Sequence, residues 1–125
     1  MRILIVDDQD TMIRIILNLV HELGHDDVKV AFDGQKALKI LNADKIDLII
    51  SDWNMPNMSG YDLLTAVRNT PGIKDTAFIM VTAEAEKDNI LAAIKADVDQ
   101  YIVKPFSSKD LEEKIKLALK KRGKL

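Results

Sequence analysis

Asp52 closes the apolar run Ile46-Asp47-Leu48-Ile49-Ile50-Ser51, so a buried-looking strand delivers a carboxylate to its own end. Other runs end in comparable ways: Arg2-Ile3-Leu4-Ile5-Val6 on Asp7-Asp8, Phe78-Ile79-Met80-Val81 on Thr82, and Tyr101-Ile102-Val103 on Lys104-Pro105. If these runs are neighbouring parallel strands, carboxylates, a hydroxyl and an ammonium group meet beyond one edge of a sheet, where open sheets of this kind bind ligands. Clustered Asp7, Asp8 and Asp52 repel one another unless a cation or a proton sits between them. A set of oxygen ligands without His or Cys favours a hard ion, and Mg²⁺ is the expectation for a site that handles phosphate. Such an ion would leave one carboxylate oxygen free for in-line attack on phosphorus. Lys104 can balance charge on the acceptor and on a phosphoryl oxygen, and the Thr82 hydroxyl can donate to another. The product would be an acyl phosphate on an aspartate. A single acid after a strand is ordinarily a cap or turn residue, which is the reading for Asp10 at the place of a helix N-cap. Chance supply of a suitable group by four separate strands is the weaker account of the other five.

Elements that could position these groups follow from periodicity. Strand-length apolar runs near residues 2–6, 28–31, 46–51, 77–82 and 99–103 alternate with helical patterns near 10–23, 34–42, 60–69, 84–95 and 107–120. That alternation predicts an α/β fold, a doubly wound five-stranded parallel sheet with five helices in one domain spanning 1–125. The first helix carries Ile13, Ile16, Leu17, Val20 and Leu23 on one stripe, and Gly24 stops it. The last repeats Leu111, Ile115 and Leu119, with Ser107 or Ser108 as its cap and Asp110 in its first turn.

Composition removes several classes of function. Lys+Arg 18 against Asp+Glu 20 gives a net charge of −2, so no overall basic field points to nucleic acid. The absence of cysteine excludes thiolate metal sites and cysteine nucleophiles and fits a reducing compartment. Neither a signal peptide nor a run of membrane-spanning length is visible, so the cytoplasm is the expected location and no membrane the expected partner. His21-Glu22-Leu23-Gly24-His25 matches the HExxH pattern, but Gly24 ends the helix before His25 and both histidines read as surface residues. No glycine-rich phosphate loop appears.

Val6-Asp7-Asp8, Asp52 with Met55-Pro56 and Ser59-Gly60, Val81-Thr82-Ala83 and Lys104-Pro105-Phe106, in that order and spacing, resemble the response-regulator receiver domain over essentially the whole chain. Ser51 to Met58, Met80 to Ala85 and Tyr101 are most similar to the chemotaxis members of that family. The resemblance implies the flavodoxin-like strand order 2-1-3-4-5, an order known for chemotaxis members. It implies that Asp52 accepts a phosphoryl group from a phosphohistidine of a sensor histidine kinase. It further implies that Asp8, Asp52 and the Asn54 main-chain carbonyl hold Mg²⁺ with Asp7 acting through water, and that Thr82 and Lys104 are switch hydroxyl and counter-charge. Tyr101 would be the aromatic switch of the surface around helix 4, strand 5 and helix 5. The Lys104-Pro105 bond is expected to be cis. A phosphoacceptor with self-phosphorylation and autodephosphorylation chemistry is implied, not an enzyme acting on a separate substrate. The implied partners are a chemotaxis-type kinase, the flagellar motor switch and a phosphatase, for a monomer.

Several positions carry two readings. Asn54 and Glu84 either tune the phosphoryl lifetime by orienting or obstructing water, or are solvated loop residues. Lys87, Ile90, Tyr101, Val103 and Lys114 suit a helical or peptide partner, or are scattered surface groups. Trp53 is a recognition aromatic or a pocket wall. Ser59, Asp97 and Asp99 depart from the usual family pattern, and Asp97 costs stability if its backbone takes positive φ. Two other functions fit the acids: a phosphate sink or adaptor receiver, and an Mg-dependent phosphohydrolase, which would need a second general acid/base and a cap domain.

Overall fold

A computed structural model describes residues 1–83 and 87–125, the side chain of Lys87 excepted. Strands β1 (Ile3–Val6), β2 (Val28–Ala31), β3 (Leu48–Asp52), β4 (Ala77–Thr82) and β5 (Gln100–Val103) alternate with helices α1 (Asp10–Glu22), α2 (Gly34–Ala43), α3 (Gly60–Arg68), α4 (Lys87–Lys95) and α5 (Ser108–Lys121). The strands form one parallel sheet in the order β2-β1-β3-β4-β5. Expectation and structure agree on the fold class and on this order.

The period-2 alternation of strand side chains sorts the apolar residues into two cores. Ile3, Ile5, Leu48, Ile50, Ile79 and Val81 face α1 and α5, meeting Ile13, Ile16, Val20, Leu111 and Ile115. Leu4, Val6, Ile49, Phe78 and Met80 face the other way, onto Ala37, Leu41, Leu63, Leu64, Val67 and Ala93 of α2, α3 and α4. Burial on both faces is why β1, β3 and β4 read as unbroken apolar runs. No helix among the described residues is long and apolar enough to cross a membrane.

Helix ends explain the small differences in boundary. Gln9, not Asp10, is the N-cap of α1; Asp10 lies in the first turn and pairs with Arg14 at 2.9 Å. The Asp7 carboxylate accepts the Gln9 N–H at 2.9 Å, while the Gln9 carbonyl accepts from the Met12 and Ile13 N–H groups at 3.1 Å, so the helix opens one residue before Asp10. Gly24 ends α1 at φ +93°, with His25 donating back to the Val20 carbonyl at 2.9 Å, so His25 leaves the helix and HExxH cannot form. Ser107 caps α5 in a reciprocal box with Asp110. Ser59 does the same for α3 with Asp62, so this departure supplies a cap of its own.

Candidate functional site

Register sets the geometry of the carboxyl edge. Val6 pairs with Ser51, Asp52 with Val81, and Thr82 with Val103, so Asp7, Asp52, Thr82 and Lys104 all emerge at successive strand ends. Asp52 is the last residue of β3 and 7% exposed; Asp7, just past β1, is 1% exposed; Thr82 closes β4 and is buried. Asp8 is exposed. One carboxylate oxygen from each of Asp7, Asp8 and Asp52 lies within 4.8 Å of the others. Lys104 reaches back across β4, placing its Nζ 2.9 Å from Asp52 Oδ1. The Lys104-Pro105 bond is cis.

Two buried oxygens here, Asp7 Oδ2 and Thr82 Oγ1, have no hydrogen-bond partner. Buried polar atoms ordinarily find partners, so orphans at one edge point to groups supplied from outside. Burial pushes the Asp7 carboxyl up from its ordinary 3.8 to about 6, and the charges of Asp52 and Asp8 push the same way, against the Gln9 N–H and Lys104. A cation between the carboxylates would remove both the repulsion and the orphan oxygen. An all-oxygen donor set with an unpartnered buried oxygen fits a hard divalent ion.

A cavity of about 520 Å³ opens over the acids, lined by Asp8, Gln9, Asp52, Asn54, Met55, Pro56, Ser59, Ala83 and Lys104. Its floor is shaped by the turn out of β3: Trp53 N–H donates to the Val81 carbonyl at 2.9 Å, and Gly60 N–H donates to the Trp53 carbonyl at 2.7 Å. That close approach needs glycine, because a Cβ at Gly60 would collide with the Asp52 carbonyl oxygen. Trp53 is not among the lining residues; its ring is half-buried and tilted against Tyr61 at 5.7 Å. Gln9 was not singled out from the sequence, although its place directly after two acids and before a helix was the available signal.

Asn54 is exposed at the cavity mouth. Glu84 lies outside the described residues, as does the Lys87 side chain. On the output side Tyr101 is half-buried against the α2/α3/α4 core, with Lys114 Nζ 5.5 Å from its ring centroid. A cavity of about 250 Å³ joins Tyr101 and Val103 to Lys114. Ile90 and Tyr101 are half-buried, not fully exposed; the apolar groups that α4 does expose are Leu91 at 47% and Ile94 at 56%. Sequence reasoning missed these because α4 carries apolar residues on more than one side, so periodicity does not tell its buried face from its bare one.

A family model described as the response regulator receiver domain matches residues 3–116. The chain is 50% identical over 115 residues to the chemotaxis protein CheY of Pseudomonas aeruginosa, covering 92% of this chain and 93% of that protein. It is 45% identical to chemotaxis protein CheY-3 of Vibrio cholerae, covering 92% and 88%. Among solved structures, chemotaxis protein CheY4 of Vibrio cholerae superposes with a TM-score of 0.87 at 30% identity, covering 94% and 98%. A CheY-like receiver domain protein of Methanospirillum hungatei gives 0.84 at 33%, covering 98% and 96%.

Proposed function

This chain belongs to the response regulator receiver domain family, and from that premise we propose that it is a stand-alone chemotaxis regulator. Asp52 takes a phosphoryl group from a kinase phosphohistidine, and the surface of α4, β5 and α5 then binds the flagellar motor switch. The observation that carries the reading is Asp52 at the end of β3, ion-paired to Lys104 and grouped with Asp7 and Asp8. The proposed output is binding, a reading supported by an alignment that spans 93% of the Pseudomonas chemotaxis protein.

In this mechanism an Asp52 oxygen attacks phosphorus, the P–N bond to the donor imidazole breaks, and its electron pair stays on the imidazole nitrogen. Asp8, Asp52 and the Asn54 carbonyl would hold Mg²⁺, with Asp7 behind a water; the ion supplies charge neutralisation for the incoming phosphoryl oxygens. Lys104 moves from Asp52 to balance the product, and the unpartnered Thr82 hydroxyl donates to a phosphoryl oxygen. Withdrawal of Thr82 toward the site lets Tyr101 turn inward, which changes the face that Lys114, Leu91 and Ile94 present. Asn54 at the cavity mouth, together with Glu84, tunes access of water.

Acetyl phosphate with Mg²⁺ should give a hydroxylamine-labile adduct that Asp52→Asn abolishes; adduct at wild-type yield in that variant overturns the assignment. Binding to a motor-switch peptide should tighten on phosphorylation. Equal affinity in both states would leave the sink or adaptor role in its place.

A further inference from the structure

At the amino edge of the sheet, opposite the cavity, a second charged cluster of residues that the phosphoryl site does not use ties together α3, α4, α5, β4 and β5. The Asp99 side chain is 0% exposed, and both its oxygens are engaged. Oδ1 accepts from Arg122 Nε at 2.7 Å; Oδ2 accepts from Arg68 Nη2 at 3.1 Å and from the Phe78 backbone N–H at 2.8 Å. Asp99 N–H in turn donates to the Phe78 carbonyl at 3.2 Å, which locks the start of β4 to the start of β5.

The same cations close the end of α4. Arg68 Nε donates to the Asp97 carbonyl at 2.9 Å and Lys121 Nζ to the Val98 carbonyl at 3.1 Å. Arg122 Nη2 reaches both the Asp97 carbonyl at 3.2 Å and its carboxylate at 2.9 Å. Arg68 sits in the last turn of α3 and Arg122 is the C-cap of α5, so cations at two helix ends serve the end of a third. Asp97 stands at φ +67°, the left-handed turn at which helices commonly end and which Asp adopts more readily than most residues. Shifting this segment would pull the buried Asp99 carboxylate from its two cations, so intermediate positions are disfavoured and the cluster behaves as a fixed point.

We propose that Asp97 and Asp99, with Arg68, Lys121 and Arg122, form a pivot that holds the carboxyl end of α4 and the start of β5 against α3 and α5. A change of state at the carboxyl edge then re-sets Tyr101 and the α4 face without displacing residues 96–100. Tyr101 lies only two residues beyond Asp99, within β5, so the pivot defines where the moving part of the output surface begins. Only the response to phosphorylation rests on the phosphoacceptor reading; the clamp itself does not.

Hydrogen exchange read by mass spectrometry, with and without acetyl phosphate and Mg²⁺, tests both parts while intact mass reports the adduct. In the wild type, exchange should change at Thr82-Ala83 and at residues 101–104 and stay constant at 96–100. Asp99→Asn keeps the shape but weakens the charged acceptor, so exchange at 96–100 should quicken about tenfold or more and become responsive to phosphorylation. Asp97→Gly suits the positive φ and should loosen 96–98 with little loss of global stability, separating the pivot from unfolding. Equal responses at 96–100 and 101–104 in the wild type would overturn the pivot, as would a uniform rise over all strands in Asp99→Asn. If no adduct forms, the phosphoacceptor reading fails, and the unphosphorylated comparison of wild type with Asp99→Asn still decides the pivot.

Discussion

Asp7 and Asp99 are both buried acids flanking the same sheet, yet Asp7 keeps an oxygen with no partner beside two other carboxylates, whereas Asp99 has every oxygen taken by cations and a backbone N–H. One edge is left electrostatically unfinished and the other is closed. The unfinished edge suits a group supplied from outside; the closed edge suits a structural role. Removing a charge should therefore have opposite consequences at the two places. Asp99→Ala leaves the Phe78 N–H without its carboxylate and takes from Arg68 and Arg122 the buried acceptor they share, and should cost about 3 kcal/mol. Asp7→Asn keeps an acceptor for the Gln9 N–H and removes a repelling charge, so without Mg²⁺ at neutral pH it should hold or raise stability. Urea denaturation measures both. Comparable losses in the two variants would end the distinction.

Titration sharpens the same contrast. Burial raises Asp7 from 3.8 to about 6, so between those values the folded state binds more protons than the unfolded one. Stability contributed by that proton is full below the unfolded value and lost as pH rises through about 6, amounting to at most about 3 kcal/mol for the roughly two units involved. A cation held by the three acids would offset this loss only where Asp7 is ionised. The rise in Tm produced by Mg²⁺ should thus be small near pH 4.5 and large near pH 7.5. Asp97 runs the other way: burial resists, but the Arg122 hydrogen bond and charge hold its carboxyl below the usual range, so its contribution is lost as pH falls. A Mg²⁺ shift of equal size at both pH values would show that Asp7 does not face the ion.

The two edges also differ in how plainly the sequence displays them. Asp7, Asp8, Asp52, Thr82 and Lys104 are each appended to an apolar run, and a parallel sheet brings the carboxyl ends of such runs to one edge. The five strands and the residues at their ends were readable for that reason. Nothing local marks the closed edge, because Arg68, Asp97, Asp99 and Arg122 belong to three different helix ends and a strand start. Asp97 and Asp99 stood out only as departures from a pattern, and their partners lie more than twenty residues away in the chain. The Asp10 cap lies one residue too far along for a different reason: Gln9 caps through its backbone alone, with no side-chain bond, so residue type does not mark the position.

Helix α3 runs from one edge to the other, with Ser59 capping its start beside the cavity and Arg68 in its last turn inside the clamp. Ser59→Ala removes one half of a capping box and should cost about 1 kcal/mol. The turn between β3 and α3 also carries Asn54, so fraying there should weaken Mg²⁺ binding several-fold, which a Trp53 fluorescence titration can follow. Ser107→Ala breaks a box of the same composition at the start of α5 and should cost a similar amount, yet Ser107 does not line the cavity. Its Mg²⁺ affinity should match the wild type. Equal weakening in both variants would mean that Mg²⁺ binding follows global stability and not the order of the β3–α3 turn.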